Sequence, residues 1–240
     1  MCAIATLCRP YRGGKAPTPR IRWPRRFRGL PPATLVLPLR GNHGNVSSPD
    51  RMRGTMARAK RSKKHLVWID CEMTGLDPAK NVLLEIATII TNYDLDIVAR
   101  GPVLAIRQSE AKLKLMDAWN QRTHRESGLL DRVRTEGISV AEAERETLKF
   151  VKRYCYVRTA PLCGNSIGQD KRFLAKYMPT LHEFLHYKVV DVSSIKVLAS
   201  EWYAGRFEAP KKQELHRALA DIEESIEELK YYRKNVFVRR

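Results

Sequence analysis

The chain has 240 residues, with 44 Lys and Arg against 26 Asp and Glu and a formal net charge of +18. That length holds one or two domains, its 43% apolar fraction suffices for a full core, and no apolar run approaches the ~20 residues that a membrane-spanning helix needs. The charge is uneven: residues 1–64 carry 12 Arg and 4 Lys against Asp50 alone, whereas 65–240 carry 28 basic and 25 acidic residues, so nucleic-acid binding cannot be read from bulk charge.

Residues 1–64 also hold 8 of the 13 prolines and no sustained apolar period. They are expected to be a disordered basic extension. Arg-rich, acid-poor amino termini are typical of mitochondrial or plastid transit peptides, although Pro24, Pro31 and Pro32 break the amphipathic helix such peptides form. Met52 and Met56 offer alternative starts. Five cysteines without Cys-x-x-Cys spacing fit a reduced intracellular compartment, so mitochondrion and cytoplasm are the two expected locations.

One domain is expected over 65–238. Residues 66–71 form a short apolar run entering an acid, a buried central strand. Thr74-Gly75-Leu76-Asp77-Pro78 is turn chemistry. Residues 83–92, rich in β-branched side chains, predict a second strand, and 96–106 a third, with Gly101-Pro102 marking a bulge or edge. Residues 139–154 predict a helix opened by the Ser139-x-x-Glu142 capping box. A strand at 161–164, a helix over 170–177, a strand at 188–192 and a helix from Ser193 to about Trp202 follow. The last helix carries the stripe Leu215, Leu219, Ile222, Ile226 and Leu229. Three antiparallel strands followed by strand–helix alternation predict an α/β domain, with a mixed sheet and helices on both faces.

Four acids lie beside local signals that aim them at one point. Asp70 and Glu72 stand at i and i+2 at the end of the first strand and therefore share a face. Asp170 closes Gly164-Asn165-Ser166-Ile167-Gly168-Gln169-Asp170 at a helix start, where the dipole favours an anion. His216 precedes Asp221 by five residues, about 140° of a regular helix. The imidazole is thus placed before the helix or in its first turn, with the carboxylate one turn inside. Clustered hard oxygen ligands with a basic imidazole suit paired Mg²⁺ or Mn²⁺ ions in phosphodiester hydrolysis. Alone, each signal has an ordinary structural explanation, and Asp-x-Glu recurs at Asp221-Ile222-Glu223. His182-Glu183-Phe184-Leu185-His186 matches a zinc-protease pattern, but Pro179 and a strand beginning near Val189 leave it barely two turns.

The Trp-Ile-Asp-x-Glu-Met-Thr-Gly-Leu-Asp segment, the Gly-Asn-Ser-Ile-Gly-Gln-Asp segment and the His-Arg-Ala-Leu-x-Asp-Ile segment, in this order, resemble the oligoribonuclease branch of the DEDDh 3′→5′ exonucleases. The likeness runs from about 66 to 237. It implies an RNase H-like fold around a mixed five-stranded sheet, a homodimer, and hydrolysis of short single-stranded RNA, di- to pentanucleotides, to mononucleotides. Asp70, Glu72, Asp170 and Asp221 would hold two divalent ions, with His216 as general base. Leu76 and Trp119 would wedge the terminal bases. Ser166 and Ser193, with His124 and Tyr187 from the second subunit, would surround the substrate's 5′ end; Tyr187 is counted with His216 among the catalytic candidates. Lys188 stands where the family has Arg, keeping charge without the bidentate fork, and Ala220 where it has Asp. A catalytically silent RNA-binding protein on this fold is the alternative.

Overall fold

The computed structural model describes residues 61–209 and 217–237. In chain order the elements are β1 (His65–Met73), β2 (Leu83–Asn92), β3 (Ile97–Ala105), α1 (Glu110–Leu113), α2 (Ala118–Glu126), α3 (Leu129–Thr135), α4 (Val140–Tyr154), β4 (Pro161–Gly164), α5 (Gly168–Tyr177), α6 (Pro179–Phe184), β5 (His186–Asp191), α7 (Val192–Trp202) and α8 (Ala218–Asn235). One five-stranded sheet runs β3-β2-β1-β4-β5; β1, β2 and β3 pair antiparallel, and β4 and β5 add parallel to β1.

β1 lies at the centre of the sheet because both its faces are apolar. Its odd positions Val67, Ile69 and Cys71 pack with Leu148 and Val151 of α4 and Phe173 and Leu174 of α5. Its even positions Leu66 and Trp68 pack with Ile222, Ile226, Leu229 and Tyr232 of α8. This strict alternation follows from the two-residue period of a strand. The next even positions are Asp70 and Glu72, so the pleat that buries Trp68 under α8 also aims both carboxylates towards α8.

The predicted elements recur with small boundary shifts: β2 and β4 at their expected limits, α5 starting two residues earlier, and β5 at 186–191. Ser139 caps α4 by accepting from the Glu142 N–H at 3.2 Å, whereas the Glu142 carboxylate takes Arg145. β3 is an edge strand and also bulges: Ala87 faces Val103 and Ile89 faces Arg100, leaving Gly101 and Pro102 opposite Thr88. A Cβ at Gly101 would stand 2.6 Å from the Phe150 ring and 2.9 Å from the Thr88 carbonyl, so the close approach demands glycine. Helices α1, α2 and α3, between 110 and 135, arise where the sequence shows no apolar period. They cover Leu84 with Leu113, Met116, Leu129, Leu130 and Val133. Leu215, predicted in the stripe of α8, lies outside the described residues. So does residues 1–60 of the predicted extension. Ser62, just beyond them, donates its N–H to the Tyr154 carbonyl at 2.9 Å.

Trp68 is fully buried, and its indole Nε1 donates to Thr91 Oγ1 at 2.9 Å. Thr91→Val keeps the shape but strands that N–H in the core, at a cost of about 1–3 kcal/mol. A urea titration should show a lower midpoint at unchanged slope.

Candidate active site

Three carboxylates converge at the C-terminal end of β1. Oxygens of Asp70, Glu72 and Asp221 lie within 4.8 Å of one another. The chain is extended at Arg217, α8 starts at Ala218, and Asp221 sits in its first turn, where the helix dipole favours an anion. Ile222 and Ile226 seat the helix on the sheet and thereby deliver Asp221 to the strand end.

Asp170 arrives from the opposite layer, in the first turn of α5, and is buried. β4 pairs with β1 only at Val67 and Trp68. Beyond that ladder the Cys71 N–H donates to Asp170 Oδ1 at 3.0 Å. The acid is therefore fixed against the backbone between Asp70 and Glu72.

Gathering acids raises their proton affinity. Burial, then the charges of Asp221, Glu85 and Asp170, push the Glu72 carboxyl from its ordinary 4.5 up to about 8. Burial lifts Asp170 to about 7, partly offset by the Cys71 N–H. Burial and the neighbouring acids Asp170, Asp70 and Glu72 likewise push the Cys71 thiol well above its usual range. Such a cluster favours either protons or cations. Its ligand atoms are all hard oxygens, which fit Mg²⁺ or Mn²⁺ and do not fit a soft-metal centre.

Two further groups stand behind Glu72. Glu85, directly opposite it in the β1–β2 register, is only 2% exposed and is paired with Arg132 of α3. His124 of α2 is also 2% exposed; its Nε2 meets the Met73 carbonyl at 2.9 Å and its Nδ1 lies 3.9 Å from Glu72 Oε2. The resemblance assigned His124 to the substrate's 5′ end in a second subunit. The structure places it beside the carboxylates of its own chain, because α2 folds back over the β1 end. Neither Glu85 nor Arg132 was singled out from sequence. An acid inside the apolar run 83–92 was the available signal.

The remaining expected residues fall into two groups. Leu76, 72% exposed, tips the turn after β1, and Trp119 is exposed on α2. Ser166 and Ser193 meet at the ends of β4 and β5: the Ser166 N–H donates to Asp191 Oδ1 at 3.0 Å and to Ser193 Oγ at 2.9 Å, and the two hydroxyls are 3.1 Å apart. Tyr187, 74% exposed on β5, stacks on His186, with the Lys188 ammonium 5.8 Å from its ring centroid. His216 lies outside the described residues.

The zinc-protease alternative does not survive the fold. α6 ends at Phe184, Leu185 is extended, and His186 starts β5, so the two imidazoles do not share a helix face. Among the described residues, the three acids at the β1 end form the only group of at least three His, Cys, Asp or Glu side chains able to hold one ion.

An oxygen-ligand cluster at the end of a central strand in a mixed sheet defines an exonuclease-type hydrolase domain. The RNase_T family, described as Exonuclease, matches residues 67–229. The chain is 52% identical over 178 residues to the oligoribonuclease of Paracidovorax citrulli, covering 74% of this chain and 92% of that one. With the oligoribonuclease of Aeromonas hydrophila it shares 53% over 176 residues, 73% and 97% of the two chains. The chain belongs to the oligoribonuclease family. Exonuclease I from Methylocaldum szegediense (TM-score 0.55, 17% identity, 72% of this chain) and E. coli exonuclease I in complex with an oligonucleotide (0.57, 14%, 74%) share its RNase H-like fold. This chain spans 41% and 42% of their respective lengths.

Metal-free protein should lose stability as pH rises. A carboxyl raised on folding binds more protons folded than unfolded, so its contribution is full below the ordinary 4.5 and gone above about 8 for Glu72. Thermal melting in EDTA should show Tm falling between pH 5 and pH 8.5, less steeply in Glu72→Gln. Mn²⁺ should restore most at the alkaline end. A flat or rising Tm across that window, or the same slope in Glu72→Gln, contradicts the cluster electrostatics.

Proposed function

We propose that this protein is a 3′→5′ exoribonuclease that hydrolyses short single-stranded oligoribonucleotides, di- to pentanucleotides, to mononucleotides. The observation that carries the reading is the convergence of Asp70, Glu72 and Asp221 with Asp170 fixed beside them. Two Mg²⁺ or Mn²⁺ ions held by these four acids would neutralise the phosphodiester and acidify the attacking water. The chain's own residues do the rest. His216, immediately before the cap of α8, takes the proton of that water. Asp170 stays fixed by the Cys71 N–H, and Arg132 offsets the Glu85 charge behind Glu72. His124 is assigned to the reacting end of the substrate, given its place beside Glu72.

Leu76 and Trp119 supply exposed apolar surface for the terminal bases. Ser166 and Ser193, with Lys188, offer hydroxyl and ammonium donors for the 5′ phosphate. Tyr187 and Val189 on the open edge β5, with Val197, Leu198 and Trp202 on α7, leave an exposed apolar face that supports a homodimer in which Tyr187 reaches the partner's site. The basic, acid-poor residues 1–64 support an intracellular location in the mitochondrion, the cytoplasm or both. Residues 65–238 are proposed as the exonuclease domain. Among the described residues, no helix is long and apolar enough to cross a membrane.

A time course on 5′-labelled RNAs of increasing length, with Mn²⁺, tests polarity and length preference together. Dinucleotides should disappear fastest, with activity lost in EDTA and regained with Mn²⁺. Asp70→Asn should lose several kcal/mol of transition-state stabilisation, about 10³-fold in rate, with the fold intact by circular dichroism. Wild-type turnover by that variant would sink the assignment, and RNA binding without cleavage would favour the silent RNA-binding alternative.

A further inference from the structure

α8 carries a buried carboxylate that the proposed hydrolysis does not use. Glu228 follows Asp221 by seven residues, two turns along the same helix face, and is 5% exposed. It is not part of the acid cluster at the β1 end. A buried carboxylate is tolerated only when partners replace its water. Its partners include three side chains: Asn165 Nδ2 donates to Glu228 Oε2 at 3.0 Å, Lys196 Nζ of α7 lies 3.5 Å from Oε1, and the Tyr232 side chain of α8 is hydrogen-bonded to it.

Asn165 is a junction. The same Nδ2 donates to Ser225 Oγ at 2.8 Å, and Ser225 in turn donates to the Asp221 carbonyl at 2.7 Å. On its other side, Asn165 Oδ1 accepts from Ser193 Oγ at 3.1 Å. Ser193 is the hydroxyl against which Ser166 sits, and Ser166 holds a left-handed backbone (φ 48°) that is unfavourable for a non-glycine residue. One half-buried amide thus joins the helix bearing Asp221 to the hydroxyl pair at the ends of β4 and β5.

We propose that Asn165 is a positioning residue that registers the Ser166–Ser193 pair against α8, with Glu228 as its buried anchor, and so sets the enzyme's preference for 5′-phosphorylated oligoribonucleotides. The inference rests on the exoribonuclease reading and deepens it. With Asn165 in place, the Ser193 hydroxyl gives its one proton to Asn165 Oδ1 and turns a lone pair towards Ser166, so the Ser166 hydroxyl, held beside it, keeps its own proton for a 5′ phosphate. Without it, Ser193 is held only by the Ser166 N–H, its proton turns onto Ser166 Oγ, and the Ser166 hydroxyl is no longer kept in one orientation for a 5′ phosphate. The reacting end of the substrate, held by other residues, is unaffected.

The test compares kcat and KM on a dinucleotide carrying a 5′ phosphate with those on the same dinucleotide carrying a 5′ hydroxyl. Wild type should prefer the phosphate. Asn165→Ala should lower that preference about tenfold, through KM alone, with kcat and the 5′-hydroxyl reaction unchanged. Glu228→Gln retains an acceptor for Asn165 and should keep the preference, whereas Glu228→Leu should lose it. Should Asn165→Ala fold poorly, Ser225→Ala removes one of its two acceptors and should lower the ratio by a smaller factor. An unchanged ratio in a folded variant, or an equal fall on both substrates, overturns the proposal. Failure of wild type to cleave either RNA would instead overturn the exoribonuclease reading itself.

Discussion

Mutual repulsion among carboxylates at the end of β1 is the constraint that the rest of the structure answers. Asp70, Glu72, Asp170 and Asp221 approach one another in a site where burial weakens water's screening, with Glu85 just behind. Nothing in that arrangement is self-stabilising. It persists because apolar packing on both faces of β1 fixes the elements that carry the acids, and that packing is insensitive to charge. The folded layers hold the site in a state of electrostatic need, which a divalent cation relieves.

The fold supplies partial compensation at three of the acids. Asp170 and Asp221 occupy the first turns of α5 and α8, where the helix dipoles favour anions. Asp170 also receives the Cys71 N–H, left available because β4 is too short to pair with β1 beyond Trp68. Glu85 is paired with Arg132. Strand length, helix register and one arginine thus decide which of the acids remain available to an ion. The same economy appears at the other end of the site, where Asn165 and Glu228 convert a buried charge into a fixed position for two surface hydroxyls.

Strong local periodicity made most of this legible in the sequence. The pleat of β1 placed Asp70 and Glu72 on one face, and the five-residue spacing from His216 placed Asp221 one turn inside the last helix. The capping residue Ser139 and the run 161–164 were equally plain. Residues 107–138 were not. α2 buries only Thr123 and His124, so it presents no stripe, and its start is marked only by Asp117 accepting from the Asn120 N–H at 2.8 Å. For the same reason, the inward path of His124 to Glu72 could not be seen. Glu85 was hidden differently: an acid inside a β-branched run looks like a solvent-facing position until its cross-strand neighbour and Arg132 are known. Residues that act through distant partners, such as Asn165, leave no signature in spacing at all.

The central claim is that this fold assembles a carboxylate cluster that binds divalent cations. It is tested most directly by calorimetric titration of Mn²⁺ into metal-stripped wild type and Asp221→Asn at pH 8. Saturable binding to wild type, with proton uptake by buffer as the raised carboxyls deprotonate, and clearly weaker binding to the variant is the predicted result. Absence of saturable binding to folded wild type, or equal affinity in Asp221→Asn, would contradict it.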